Sequence, residues 1–323
     1  MDSATNQTMT TGFDAPVSRP RAADYARLNE ILAGGPNWDP LPEIKRIYRA
    51  LSPAAELSFL DGVYKDITAM FAGTYPGFRG APPCGYHDLR HTRNVALAAM
   101  RLLHGLNCRG LSWPEDIVQM ALRCACFHDT GMLLRDCDQA EVGTAYLKEH
   151  EERSLVFLRQ YLLRENLCLD HHENCQAVID CTNLMTDPRQ LTFLCSDQMM
   201  IGRVIGTADI MAQMADRYYL ERLPILFEEF RSAGIDRYGS AMDLLRQTAS
   251  FYHEVICKRL DEAFGGVGEA MRDHFRLWWN IDRNLYTDSI QNNIRYLESC
   301  LIACDGDESR LAHYLRRVPP AVR

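Results

Sequence analysis

A chain of 323 residues, 47 % of them apolar, has the material for a sizeable buried core. With 35 basic against 43 acidic residues and a formal charge of −8, it is ill suited to gripping extended nucleic acid, so an anionic substrate must be attracted by something other than general basicity. No apolar run reaches the roughly 18 residues that span a bilayer, and the opening MDSATNQTMTTGFDAP lacks the charged start and apolar centre of a secretory signal, so a cytoplasmic protein without membrane contact is expected.

In chain order, residues 1–35 read as a flexible tail, and folded structure is expected from near Leu41. Ser52-Pro53 starts a helix on which Leu57, Leu60, Tyr64, Ile67 and Phe71 recur at helical spacing. The Gly- and Pro-rich stretch GTYPGFRGAPPCG, residues 73–85, then breaks the pattern. Further helices are predicted over 86–106, 114–127, 144–163, 175–184, 197–220, 242–264 and 284–304, with 228–238 as a loop able to form a mobile rim. No alternating run is bounded by a hairpin turn, so residues 36–323 are expected to form a single all-α domain, a helical bundle. The twelve cysteines contain no CxxC pair, and Cys124, Cys126, Cys181, Cys195 and Cys257 lie in apolar segments, which predicts reduced core thiols rather than disulfides.

The polar residues inside these helices carry the chemistry. In CACFHDTGML, residues 124–133, His128 and Asp129 end a helix of small apolar residues, and a buried carboxylate is costly unless it is paired or bound to a cation. In YHDLRH, His87 and His91 are four residues apart and would share one helix face. Asp209 falls near the centre of the apolar stripe Ile201, Val204, Ile205, Ala208, Met211, Ala212 and Ala215, where the alternative to metal binding is an ion pair with Arg203 or Arg217. Imidazoles and carboxylates of this kind are the ligand types of divalent transition metals.

The order H…HD…D on helices resembles the HD-domain metal-dependent phosphohydrolases, and YHDLRH is similar to the YHNxxH motif of the cyclic-nucleotide phosphodiesterase catalytic domain. The likeness continues through LKEHEERSLVFLRQYL, AVIDCTNLMTD and GTADIMAQMADRYYLERLPILFEEF, a motif core over 86–230. It implies that the bundle places a metal site between helices. His91, His128, Asp129 and Asp209 would hold a first divalent ion, and Asp129 would bridge to a second. His87 would be the general acid, protonating the leaving oxygen as a metal-bound hydroxide attacks phosphorus. Mg, Mn, Zn, Fe and Ni are not distinguished, and the implied substrate is a small phosphorylated molecule such as a nucleotide.

The chain departs from the phosphodiesterases in two places. Met132 stands where they have a further histidine, and their purine-clamping QxGF pattern is missing; Trp278, Trp279 and Gln291 lie in that region, with core packing as the plain alternative for the aromatic pair. Related HD proteins hold a second metal with two more histidines, which makes His150 and one of His171 or His172, in DHHEN, additional candidate ligands, with Glu149 and Glu152 orienting ligands or facing water. That larger set also resembles HD-fold mixed-valence diiron oxygenases, and a regulatory HD domain without turnover is a third reading. His87 favours hydrolysis, because an oxygenase has no evident need for such an acid.

Overall fold

Apolar residues at three- and four-residue spacing recur along almost the whole chain, and the computed structural model is an all-α bundle with one small two-stranded sheet. It describes residues 31, 39–80, 85–167, 170–304, 307–315 and 317. The first half contains α1 (Leu41–Leu51), α2 (Ser58–Phe71), β1 (Phe78–Gly80), α3 (Leu89–Cys108), α4 (Glu115–Phe127), β2 (Leu134–Arg135) and α5 (His150–Arg164). There follow α6 (Asp170–Asp180), α7 (Ser196–Met214), α8 (Tyr219–Ser232), α9 (Ala241–Phe251), α10 (Ala270–Trp279), α11 (Leu285–Cys304) and α12 (Glu308–Tyr314).

Helix α3 is the axis of the core. Val95, Leu97, Ala98, Ala99, Met100, Leu102 and Leu103 are all fully excluded from solvent, so the helix is surrounded by neighbours. It packs against α7 on one side and α10 on the other. The second approach depends on Gly105, where an added Cβ would lie 1.9 Å from the Ala270 carbonyl oxygen. Gly206 does the same for α7, since a Cβ there would sit 2.8 Å from the Cys181 carbonyl oxygen.

Several predicted boundaries shift for identifiable reasons. The helix expected over 86–106 begins at Leu89 because Asp88 is its N-cap, Oδ1 accepting from the His91 amide at 2.8 Å. His87 therefore precedes α3 and does not share a helix face with His91. The segment 197–220 divides after Met214, where Asp216 Oδ1 accepts from the Tyr218 amide at 2.9 Å and α8 then begins. Only 3-10 turns occur between Gly143 and Tyr146, ahead of α5. The stretch 242–264 starts as α9 and continues in π-helical turns, Tyr252–Ile256 and Arg259–Ala263. Much of the expected rim, 228–238, belongs to α8, while Gly234, at φ +64°, ends the chain's helical course there.

Several elements were unanticipated, among them α8, α10, α12 and both strands. Helix α10 buries Met271, Phe275 and Trp278 along one stripe. Strands β1 and β2 form an antiparallel pair that closes the chain between α2 and α5. The range 1–35 lies outside the described residues except for Ile31, which is buried and whose carbonyl accepts from Arg101, so that residue belongs to the core rather than to a free tail. Every described cysteine is a free thiol; Cys195 is exposed and caps α7 instead of entering the core, and Cys257 is half-buried. No helix among the described residues is long and apolar enough to cross a membrane.

Candidate metal centre

His91 and Asp209 come from the facing helices α3 and α7, and His128 and Asp129 from the end of α4. His91 Nε2 lies 3.0 Å from Asp209 Oδ1 and 3.3 Å from Asp129 Oδ2. His128 Nε2 lies 3.1 Å from Asp129 Oδ2, 3.6 Å from Asp209 Oδ1 and 3.2 Å from His91 Nε2. Neither Arg203 nor Arg217 pairs with Asp209 among the described residues, so the plain ion-pair alternative for this acid is not realised.

These separations fit a shared cation. Ligand atoms held about 2.0–2.2 Å from one ion, in tetrahedral or octahedral array, stand roughly 2.8–3.6 Å from one another. Asp129 Oδ2 is buried with no hydrogen-bond partner, although two imidazole nitrogens face it, and a cation would satisfy it. The histidine tautomers also suit ligation. His128 Nδ1 donates to the Ala125 carbonyl at 2.9 Å, which leaves the Nε2 lone pair directed at the carboxylates.

Charge balance points the same way. Burial disfavours charging His91, yet Asp129 and Asp209 overcome it and push the imidazole up to about 9. The same contest holds His128 well above the usual imidazole range. Burial alone would raise both acids, but the neighbouring imidazoles bring Asp209 down to about 2 and hold Asp129 well below the usual carboxylate range. Buried Asp129 and partly buried Asp209 thus gather positive charge, whether as protons on imidazole or as a cation in their place.

A second group of donors meets the other oxygen of Asp129. His150 Nε2 is 3.5 Å from Asp129 Oδ1, and His150 Nδ1 donates to the Leu147 carbonyl at 2.7 Å, fixing the same tautomer as in His128. Burial opposes charging His150 as well, and Asp129 nevertheless pushes it up to about 9. Gly131 makes this arrangement possible: an added Cβ would lie 1.9 Å from the His150 carbonyl oxygen, so only glycine lets the turn after Asp129 touch the start of α5. Ser154 completes the junction, donating to the His128 carbonyl at 2.7 Å and accepting from the Gly131 amide at 2.8 Å. Met132 is buried in this turn and offers no hard ligand. The side chains of His171 and His172 lie outside the described residues.

His87 sits beside the centre without joining it. Its Nδ1 is 2.7 Å from Glu229 Oε2, and its ring centroid is 5.7 Å from that of His150. Glu229 also accepts from the Tyr86 amide, and burial, which would raise its carboxyl, is outweighed by His87, which holds it low. Arg222 binds the Tyr86 carbonyl and pairs with Asp88 Oδ2 at 2.9 Å, so α8 fixes the loop carrying His87 from two points. The sequence reading missed Glu229 and Arg222, whose segment gave no signal of a partner more than a hundred residues upstream. It also missed Glu151, whose Oε2 is 3.2 Å from His150 Nδ1; Glu149 and Glu152 are exposed. Trp278 packs in a different cluster, against His104 and His274, and Gln291 is exposed, so neither takes part in this centre.

A search of curated proteins finds no match to the chain. The profile of one family, described as Npun_R2479-like, matches residues 79–272, a range that includes His87, His91, His128, Asp129, His150, Asp209 and Glu229. Since that match covers more than half of its length, the chain belongs to the Npun_R2479-like family.

Proposed function

We propose that the protein is a metal-dependent phosphohydrolase acting on a small phosphodiester, with nucleotides, including cyclic ones, as the first substrates to try. The observation that carries the reading is the gathering of His91, His128 and Asp129 in one buried group, with Asp209 Oδ1 3.0 Å from His91 Nε2 and Asp129 Oδ2 buried without a hydrogen-bond partner. In this reading His91, His128, Asp129 and Asp209 hold one divalent ion, while Asp129 Oδ1 and His150 hold part of the shell of a second. Bound there, the ions supply an activated water near neutral pH and neutralise charge on the phosphoryl oxygens.

The chain's own acid is His87. Its Nδ1 is engaged by Glu229, which orients the ring and leaves Nε2 as the atom that delivers a proton to the departing oxygen. Glu229 and Arg222 orient it, and His91, His128 and Asp129 are buried beside it. Free thiols at the described cysteines support a reducing, cytoplasmic setting.

The test is metal content of protein purified without air, followed by assay of phosphomonoesters, phosphodiesters and nucleotides with Mg, Mn, Zn, Fe or Ni added. Metal-dependent phosphodiester hydrolysis is expected. Bound iron with oxygen consumption and no phosphoester turnover would replace this reading with the oxygenase, and a protein that takes up no ion would overturn both.

A further inference from the structure

Beside His91, between α3 and the end of α7, lies a small pocket of about 10 Å³, lined by Tyr86, His91, Asn94, Gln213, Asp216 and Arg222 among others. Two of its polar atoms, Tyr86 Oη and Asn94 Oδ1, are buried and have no hydrogen-bond partner. Asp216 and Arg222 are engaged elsewhere. Asp216 pairs with Arg90 at 3.3 Å and accepts from the Tyr218 amide, while Arg222 is held by Asp88 and the Tyr86 carbonyl. A space of this size is about that of one water molecule, and a buried water needs two to four polar partners.

We infer that this pocket is a water site, in which one molecule accepts from the Tyr86 hydroxyl, donates to Asn94 Oδ1 and binds the edge of the His91 ring opposite Nε2. Asn94 is one helical turn beyond His91, so its carboxamide lies on the same face of α3 and reaches the ring from behind. His128 and His150 are each oriented by the backbone carbonyl three residues before them, His128 at the end of α4 and His150 at the start of α5. His91 lies within α3, where such carbonyls are taken up by the helix, and the water supplies the corresponding support. Tyr86 and Asn94 are then positioning residues for a metal ligand. The inference about His91 rests on the metal reading proposed above, whereas the water site itself does not.

The experiment combines thermal unfolding of the metal-free protein with zinc affinity measured by chelator competition. Tyr86→Phe deletes only the hydroxyl. If that group binds water, the variant melts lower than wild type; if the pocket is dry, deletion relieves an unsatisfied buried group and the variant melts at the same temperature or higher, which overturns the water site. Asn94→Leu, of similar size but without the acceptor, is expected to weaken zinc binding by about 10- to 100-fold, with Asn94→Asp, which keeps the oxygen, close to wild type. Wild-type affinity in Asn94→Leu, or equal losses in both Asn94 variants, overturns the positioning role. A wild-type protein that binds no zinc sinks the metal reading and with it the role of Asn94, and this outcome is distinguishable because Tyr86→Phe still reports on the pocket.

Discussion

Helix α3 passes through two buried histidine clusters that look alike in outline and differ in charge. Near its start, His91 and His128 bring Nε2 to within 3.2 Å of Nε2; near its end, His104 and His274 bring Nδ1 to within 3.2 Å of Nδ1. At the first cluster two carboxylates face the imidazoles, and among the described residues no Lys or Arg forms an ion pair with either. At the second the near carboxylate, Glu43, is taken by Arg101 at 2.9–3.1 Å, and His274 is 3.9 Å away from it. Asp129 and Asp209 therefore raise their imidazoles, whereas burial drives His104 down to about 4 and His274 well below its usual value. Proximity of histidines is common to both clusters; carboxylates that face only imidazoles distinguish the first as the candidate metal centre.

The largest test of this contrast is removal of those carboxylates. Asp129→Ala and Asp209→Ala should each abolish metal retention, measured by elemental analysis after gel filtration, and both should lose the thermal stabilisation that added metal confers on wild type. A full metal complement in either variant would erase the distinction between the clusters. Next comes His87, which adjoins the first cluster without being a ligand. His87→Ala should keep its metal and lose about 10²- to 10⁴-fold in turnover, with a smaller loss on nitrophenyl esters, whose leaving group departs without a proton. Equal losses on good and poor leaving groups would remove His87 as the acid.

The second cluster should respond in stability alone. Arg101→Met leaves Glu43 buried without its partner and should cost about 3–5 kcal/mol in urea unfolding, with metal content unchanged. The smallest effect concerns pH. Because the folded-state value of His104, about 4, lies below the unfolded value of 6.5, the unfolded chain binds the proton first as pH falls. The stability that the neutral ring contributes is whole above pH 6.5 and is lost towards pH 4, by up to about 3 kcal/mol. His104→Phe should flatten that part of the profile, and an unchanged slope would show that this imidazole is charged in the folded state.

Legibility in the sequence followed the range of the interactions. Helices with a long apolar stripe, such as α3 and α7, were visible from spacing alone; polar residues within or beside such stripes, among them Asp209, stood out as candidates, and the set His91, His128, Asp129 and Asp209 was gathered through the resemblance to HD-domain phosphohydrolases. The chain has two His-Asp pairs: Asp88 precedes a helix and caps it, whereas Asp129 follows one and faces the imidazoles of His91 and His128. The order of helix and acid could have separated them. Strands of two and three residues are too short to alternate. The stripe of α10 has helical period but only three large members, Met271, Phe275 and Trp278. Glu229 was invisible because its partner, His87, is brought to it by the packing of α8 and not by any local pattern.

The contact at Gly131 also bears on how this architecture can vary in length. Arg153 ties α5 back to the Gly131 carbonyl at 2.9 Å and the Leu133 carbonyl at 3.2 Å, and pairs with Asp138 at 2.8 Å, so the chain leaves the centre at residue 131 and returns to the same place at residue 150. The excursion between them is a loop with a closed neck. Since lengthening such a loop adds only slowly to its closure entropy, insertions between Asp138 and Gly143 can accumulate without altering the distance from Asp129 to His150. A spacer on the sequence side of the neck is thus decoupled from a spacing on the chemical side.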